Sequence, residues 1–524
     1  MTSRSTKRNS PTWGFNRIAA EISWLLGASG MAILVSAHIA LSPGRGEMMF
    51  LDGDSMIVPL FSRSLLEGTA SDWAMSAVFF VPELVAFTAL LATGLEIHVV
   101  QFLSAFLNFI GLYVVFRTCS SWLSPNFWRQ SGAAMAGYLA VCVLALLEGG
   151  GDRNSFELAS LLAMTTYYAA TVLGSVLAVG LVQKIVSSVQ RRSVLEVALL
   201  LLVIISAFSN PIFIAWAIFP LVFLMVYLNI LMSWQASSRR VIVILLGGSI
   251  VGYALRLPLA PWVVADSENY FRPSRAQESV SYYWNLLMDR AVSEGGVAAI
   301  TLTLALMILG AVLSVKFVRK HAVGPAIVAT YSWLAPISTT IGFVLLGTEA
   351  ARYLQMWAFA PALSLIVLVS EVLPHSLRNA ARKLALIPAA AIGIIAVSFA
   401  GIALPSAVTA FTTSDRSLAC AVNWVNNTER SGAGQFWSVR AIKTYADDPS
   451  QLLQTDDRLN GYSWLVDRRD FSQRTVSFLI TDAQSSPFAL PAGYENLPSS
   501  NIDCGRFQIT DFGHANIPVG PLWP

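Results

Sequence analysis

Two carboxylates separated by one glycine, Asp52-Gly53-Asp54, stand in the string Phe50-Leu51-Asp52-Gly53-Asp54-Ser55-Met56. Gly53 permits a tight backbone bend, so both acids can face one site. There, one takes a proton from a hydroxyl while the other orients that hydroxyl or helps hold a divalent cation, Mg or Mn. The plain alternative is a polar loop with solvated acids. A third acid, Glu83, follows Pro82 inside an apolar stretch. An ionisable group at membrane depth marks a candidate site by default, whereas one at the interface costs little. Cationic candidates come later. In Gly347-Thr348-Glu349-Ala350-Ala351-Arg352-Tyr353, Arg352 can bind a phosphate or pyrophosphate oxygen through two parallel hydrogen bonds, aided by a helix N-terminus. Glu349 is expected to hold Arg352 when the site is empty, unless the two are an interfacial packing pair. Arg256, before Leu257-Pro258, is a second anion ligand or a snorkelling side chain.

These residues are set among long apolar segments. Charged residues make up 12% of the 524, about half the roughly 25% of a soluble domain, while 55% are hydrophobic. That excludes a soluble enzyme and a disordered chain, and indicates a polytopic α-helical membrane protein. Apolar segments lie near 22–41, 74–94, 98–117, 131–147, 159–183, 194–208, 212–232, 241–257, 297–316, 322–343, 354–373 and 384–405. A basic N-terminus (1–21) and the clusters Arg191-Arg192, Arg239-Arg240, Lys316/Arg319-Lys320 and Arg378/Arg382-Lys383 are expected on the cytoplasmic side. The acid loop 42–73, the turn Ser209-Asn210-Pro211, the aromatic loop 258–296 and the tail 411–524 then face outward. Twelve crossings contradict an outward tail. Pro82 and Glu83 interrupt the second segment, which is therefore expected to be re-entrant, giving about 11 transmembrane helices. After Asp54, Met56, Ile57, Leu60, Phe61, Leu65 and Leu66 recur at helical spacing, as in an amphipathic surface helix.

The membrane region 22–410 gives way to a polar tail with 12 acidic and 9 basic residues, long enough for a small α+β domain. A strand is expected over Thr475–Ile480 and a helix over Phe436–Tyr445. Aromatic pairs at Phe436-Trp437 and Tyr462/Trp464 read as core residues or carbohydrate contacts. Cys420 and Cys504 either form a disulfide across the tail in an oxidising compartment or remain free. The five histidines form no zinc-like cluster, no Walker or dinucleotide motif occurs, and a net charge of +3 does not favour nucleic acid.

The arrangement resembles GT-C-type integral membrane glycosyltransferases, which use polyprenyl-phosphate sugars. The residues carrying the likeness are Asp52 and Asp54 just after the first span, the Ser209-Asn210-Pro211 outer turn, the Arg352-Tyr353 pair and the tail domain. The resemblance implies an inverting sugar transfer at the outer face of the cytoplasmic (inner) membrane. Asp54, with Asp52 as second choice and Glu83 nearby, would be the catalytic acids. Arg352, Arg256 and Tyr353 would bind the donor phosphate. The implied partners are membrane lipids, the polyprenyl-phosphate donor and a glycan, lipid or protein acceptor, with the chain acting as a monomer. No cofactor is required; a divalent cation is compatible. Rival readings are a lipid or lipid-linked-sugar flippase, a glycan polymerase or ligase, and a non-catalytic assembly protein.

Overall fold

A computed structural model describes residues 12–188, 193–232, 236–264, 271–372, 401, 405, 407–410 and 415–523. Among these residues nine helices are long and apolar enough to cross a bilayer. The chain is thus a multi-pass α-helical membrane protein followed by a mixed α/β domain. The first span closes α1 (Thr12–Leu41). Two short helices follow on the same side, α2 (Pro43–Phe50) and α3 (Ile57–Leu66), with the acids between them. Helix α3 is the amphipathic helix expected from the sequence, and Ile57, Val58 and Leu60 are buried.

Helix α4 spans only Val81–Leu91. Eleven residues rise about 16 Å, half of a hydrocarbon core about 30 Å thick. The second apolar segment is therefore not a crossing by length. Further apolar helices are α5 (Ile97–Leu123), α6 (Phe127–Leu146), α7 (Ala169–Ser187), α8 (Ser193–Ser209), α9 (Phe219–Met232) and α10 (Ala236–Ala254). The last described part is the polar-faced α11 (Ala276–Val292), then α12 (Gly296–Arg319), α13 (Val323–Leu345) and the irregular span α14 (Ala351–Val372). The segment 384–405 apart from 401 and 405, the clusters Arg191-Arg192 and Arg378/Arg382-Lys383, and 265–270 of the aromatic loop lie outside the described residues.

The tail domain holds α15 (Arg416–Thr428) and α16 (Phe436–Tyr445) against a seven-stranded mixed sheet. Its order is β11 (Gly520–Trp523), β4 (Asn460–Tyr462), β3 (Leu452–Thr455), β2 (Gly432–Gln435), β7 (Phe478–Thr481), β9 (Phe507–Asp511) and β8 (Ser500–Cys504). The strand expected over Thr475–Ile480 is present but divided: Thr475–Val476 is β6, paired with β10 (Ile517–Pro518), and β7 begins at Phe478. Cys420 and Cys504 are joined, tying α15 to edge strand β8 with Cα atoms 5.5 Å apart. Cys119 and Cys142 are buried and free.

The tail is not a pendant. Phe436, Leu452, Phe478 and Ile480 of the sheet and α16 belong to the same continuous apolar core as the spans. Strand β1 (Trp73–Ala74) of the loop after the first span pairs with β5 (Val466–Asp467) of the tail. Arg63 of α3 donates to the carbonyls of Thr444 and Ala446, at 3.0 and 2.7 Å, at the end of α16. The acid loop is thereby held from both sides.

A buried charge cluster fixes the neighbouring loop 147–160. Glu157 accepts from Arg45 of α2 at 2.9 Å, from Arg290 of α11 at 2.8 Å and from the Gly150 amide at 2.8 Å. Arg45 is fully buried and Arg290 nearly so. One carboxylate between two buried guanidiniums tolerates no loss, because either cation would then lack its counter-charge. Glu157→Ala is therefore expected to destabilise the fold by roughly 3–5 kcal/mol, read from unfolding curves in a fixed detergent. A loss below about 1 kcal/mol, the range of surface ion pairs, would contradict this role.

Candidate active site

Asp52 and Asp54 are both about nine-tenths buried, 9% and 8% exposed. Two carboxylates so close cannot both be ionised in a dry site without cations. Two arginines from distant parts of the chain supply them. Arg352, at the start of α14, donates from Nη1 to Asp54 Oδ2 at 3.1 Å. Arg153, from the loop after α6, places Nη1 3.5 Å from Asp52 Oδ2. The Asp54 amide donates to Asp52 Oδ1 at 3.0 Å, which sets the turn of the string.

Gly53 has a different function from the one the sequence suggests. Its backbone is not in the left-handed region. A Cβ there would lie 2.9 Å from the Phe436 ring and 3.1 Å from Trp437, both on α16. Glycine is needed because the tail domain sits directly on the acid loop. The same helix reaches Arg153, whose guanidinium stacks 3.5 Å over the Trp437 ring and donates to Gln484 Oε1 at 2.7 Å.

Beside Asp54, the Arg352 guanidinium lies 5.8 Å from the centre of the Tyr167 ring. Arg352 Nε and the Tyr167 hydroxyl are both buried and have no hydrogen-bond partner among the described residues. Burial first, then the charges of Asp52 and Asp54, hold the Tyr167 phenol protonated well above its usual range. Two buried donors facing no acceptor are costly, and an oxyanion between them would satisfy both. A mostly apolar cavity lined by Leu144, Phe156, Leu287, Ile300 and Trp357 lies close by in the chain to both arginines: Phe156 follows Arg153 by three residues and Trp357 follows Arg352 by five. On the Gln484 side, a cleft of about 1020 Å³ opens between the membrane region and the tail, with Phe50, Leu51, Glu47 and His98 facing Val422 and Gln484.

Of the expected residues, the fold brings together Asp52, Asp54 and Arg352. The others have separate surroundings. Tyr353 stacks on Phe343 at 4.8 Å, and its carbonyl accepts from Trp216 Nε1 at 2.8 Å. Arg256 donates to the carbonyls of Phe208 and Ala77 and lies 4.2 Å over the Phe79 ring, which fastens the end of α10. Glu83 accepts from the Ala170 amide at 3.0 Å and caps α7. Glu349 pairs with Arg275 at 3.1 Å and not with Arg352. The Ser209-Asn210-Pro211 turn is an Asn turn: Asn210 Oδ1 accepts from the Ile212 amide at 3.0 Å.

Arg153 and Tyr167 are not among the residues the sequence singles out, and Trp437, read there as a core residue or carbohydrate contact, stacks on Arg153. Arg153 follows Gly149-Gly150-Gly151-Asp152, a polar interruption between spans that marks a loop. Tyr167 gave no signal, because 159–183 reads as one apolar segment; the helix in fact begins at Ala169. Among the described residues no three His, Cys, Asp or Glu side chains converge as metal ligands. Two carboxylates already faced by two guanidiniums are a poor donor set for a divalent cation.

Fold and site together define a polytopic membrane protein with an α/β domain seated over a buried acid pair. No protein-family model matches the chain, and no curated protein matches it in sequence.

The Asp52 carboxyl is pushed up to about 7, by burial first and then by Asp54, against the lowering pull of Arg153, the Asp54 amide and Arg352. The folded protein therefore keeps a proton that the unfolded chain releases near 3.8. Its stabilising effect is complete below about pH 3.8 and is lost as pH rises through about 7. Asp52→Asn, which needs no proton, is expected to gain stability relative to wild type as pH rises from 5 to 8. Melting curves of both proteins across that range check this; a difference that stays constant or shrinks would contradict it.

Proposed function

We propose that the protein transfers a sugar from a polyprenyl-phosphate donor to a hydroxyl of a cell-envelope glycan, lipid or protein acceptor at the outer face of the cytoplasmic membrane. The observation that carries this reading is the buried constellation of Asp52, Asp54, Arg352 and Tyr167. It pairs a carboxyl of near-neutral proton affinity with an unfilled set of anion donors, at the edge of a membrane domain.

In this reading Asp52 is the general base. Asp54 is the choice that sequence position favours, but its ion pair with Arg352 suits it to orienting that guanidinium. A base poised near 7 has the proton affinity that general-base chemistry uses best. Asp52 takes the acceptor hydroxyl proton, the oxygen attacks the anomeric carbon, and the bond from that carbon to the phosphate oxygen breaks. Polyprenyl phosphate leaves and the anomeric configuration inverts. Arg352 Nε and the Tyr167 hydroxyl stabilise charge developing on the leaving phosphate; preformed donors in a dry site act strongly there. The cavity at Leu144, Leu287 and Ile300 offers the prenyl chain an apolar wall.

The test follows loss of radiolabel from a panel of polyprenyl-phosphate sugars, with membrane extract as acceptor and the protein in nanodiscs. Asp52→Asn is expected to lower transfer by about 10²–10⁴, and Arg352→Ala by about 10²–10³. Wild-type rate rises with pH to a plateau above about 7, since the base must be deprotonated. Donor lipids that cross the bilayer without losing label would replace this reading with that of a flippase.

A further inference from the structure

The cleft between the membrane region and the tail, about 1020 Å³, is at the upper end of the roughly 300–1,000 Å³ that small-molecule sites occupy. Its floor is made by the ends of spans. Leu41 closes α1, and Glu96 and His98 stand at the start of α5, both helices long and apolar enough to cross a bilayer. Its roof is α15 of the tail, through Leu418, Val422 and Asn423. The cleft therefore sits at the level where spans end and the tail begins. At this level Leu41 and Leu95, the neighbour of Glu96, remain 41% and 38% exposed. At the inner end, Leu51 precedes Asp52 in the chain, and Gln484 holds the Arg153 side chain that faces Asp52.

Two contacts span the cleft and fix its width. Arg506, in the turn between β8 and β9, donates to Glu47 of α2 and lies 3.6 Å from Asp482. The Tyr445 hydroxyl, at the end of α16, donates to Gln101 Oε1 of α5 at 2.8 Å. Roof and floor are each tied within themselves: the disulfide joins α15 to β8, and His98 stacks on Phe50 at 4.0 Å. A recess built in advance costs little ordering to fill. Its lining has two characters. Leu41, Pro43, Phe50 and Leu51 are apolar, while Asn423, Asn426 and Gln484 carry amides. Among the described lining residues five are acids, and the one arginine, Arg506, already pairs with two of them. An anionic group entering there meets like charge, whereas hydroxyls meet hydrogen-bond acceptors.

We infer that this cleft admits the acceptor, and that the acceptor is a membrane lipid with an uncharged, hydroxyl-bearing head group. The apolar floor at the span ends takes the start of the lipid chains, which leave over Leu41. The amides and carboxylates take the head group, and its hydroxyl passes Leu51 and Gln484 to reach Asp52. The recess for the donor's prenyl chain, at Leu144, Leu287 and Ile300, shares none of the cleft's described lining residues. Donor and acceptor thus come to the acid pair separately, which suits attack on the anomeric carbon from the face opposite the leaving phosphate. The inference deepens the transfer reading and rests on it for the acceptor role, while the binding itself does not.

The experiment measures lipid binding without donor. Full-length protein in detergent is offered a neutral diglycosyl diacylglycerol or phosphatidylglycerol, and the lipid it retains is counted by native mass spectrometry. The glycolipid is expected to be retained roughly tenfold better than phosphatidylglycerol. Ala419→Trp, which fills the cleft from α15, is expected to lower glycolipid retention by roughly tenfold. Asn423→Trp, at an exposed position of the same wall, is expected to do the same and decides the matter if Ala419→Trp fails to fold. The inference is overturned if the tryptophan variants retain glycolipid as wild type does, or if phosphatidylglycerol is held equally well. It is overturned too if the free head-group disaccharide competes as strongly as the whole lipid. A protein that retains the glycolipid but consumes no donor keeps the cleft's role in lipid binding and loses the transferase. One that transfers sugar to a soluble glycan and retains no glycolipid keeps the transferase and loses the inference.

Discussion

Two carboxylates cannot share a dry pocket two residues apart unless the rest of the chain supplies positive charge, and much of this architecture answers that requirement. Arg352 comes from a late span and Arg153 from the loop after α6. Each must be held, because an arginine free to withdraw into water would leave an acid uncompensated. Arg153 is held by stacking on Trp437 and by Gln484, both from the tail. Its loop is held from beneath by Glu157 between Arg45 and Arg290. The acid pair is thus stable only when the membrane region and the tail are both in place.

That dependence explains why the tail shares a core with the spans. Pairing of β1 with β5 and the Arg63 contacts to α16 act on the same loop that carries the acids. A domain hung on a linker would not fix a carboxylate to the tolerance that proton transfer demands. Close approach at Gly53 adds a further constraint, since a single methyl group there would meet two aromatic rings.

The legible parts of the sequence were those with a local signature. Helical spacing after Met56 announced α3, and the span over Phe436–Tyr445 was readable as a helix. Pro82 and Glu83 marked the segment too short to cross. The position of Asp52-Gly53-Asp54 after the first span singled out the acids, and the Gly347–Tyr353 connection singled out Arg352. The rest depended on pairing at long range. Glu349 was the nearest acid to Arg352 in sequence, yet Arg275 holds it, because helix α11 and its approach bring a closer cation. Arg153 lies about a hundred residues from its carboxylate and carries no periodic pattern. Parallel pairing of β11 with β4 cannot be read from two short strands far apart in the chain.

An oxyanion site of Arg352 and Tyr167 set against a carboxylate base is tested most directly by a cryo-electron microscopy map of the protein in nanodiscs with a short-chain polyprenyl phosphate. Phosphate density is expected within hydrogen-bond reach of Arg352 Nε and the Tyr167 hydroxyl, with the prenyl chain leaving along the wall of Leu144, Leu287 and Ile300. Phosphate bound instead at Arg256, or lipid seated away from Arg352 and Tyr167, would contradict it.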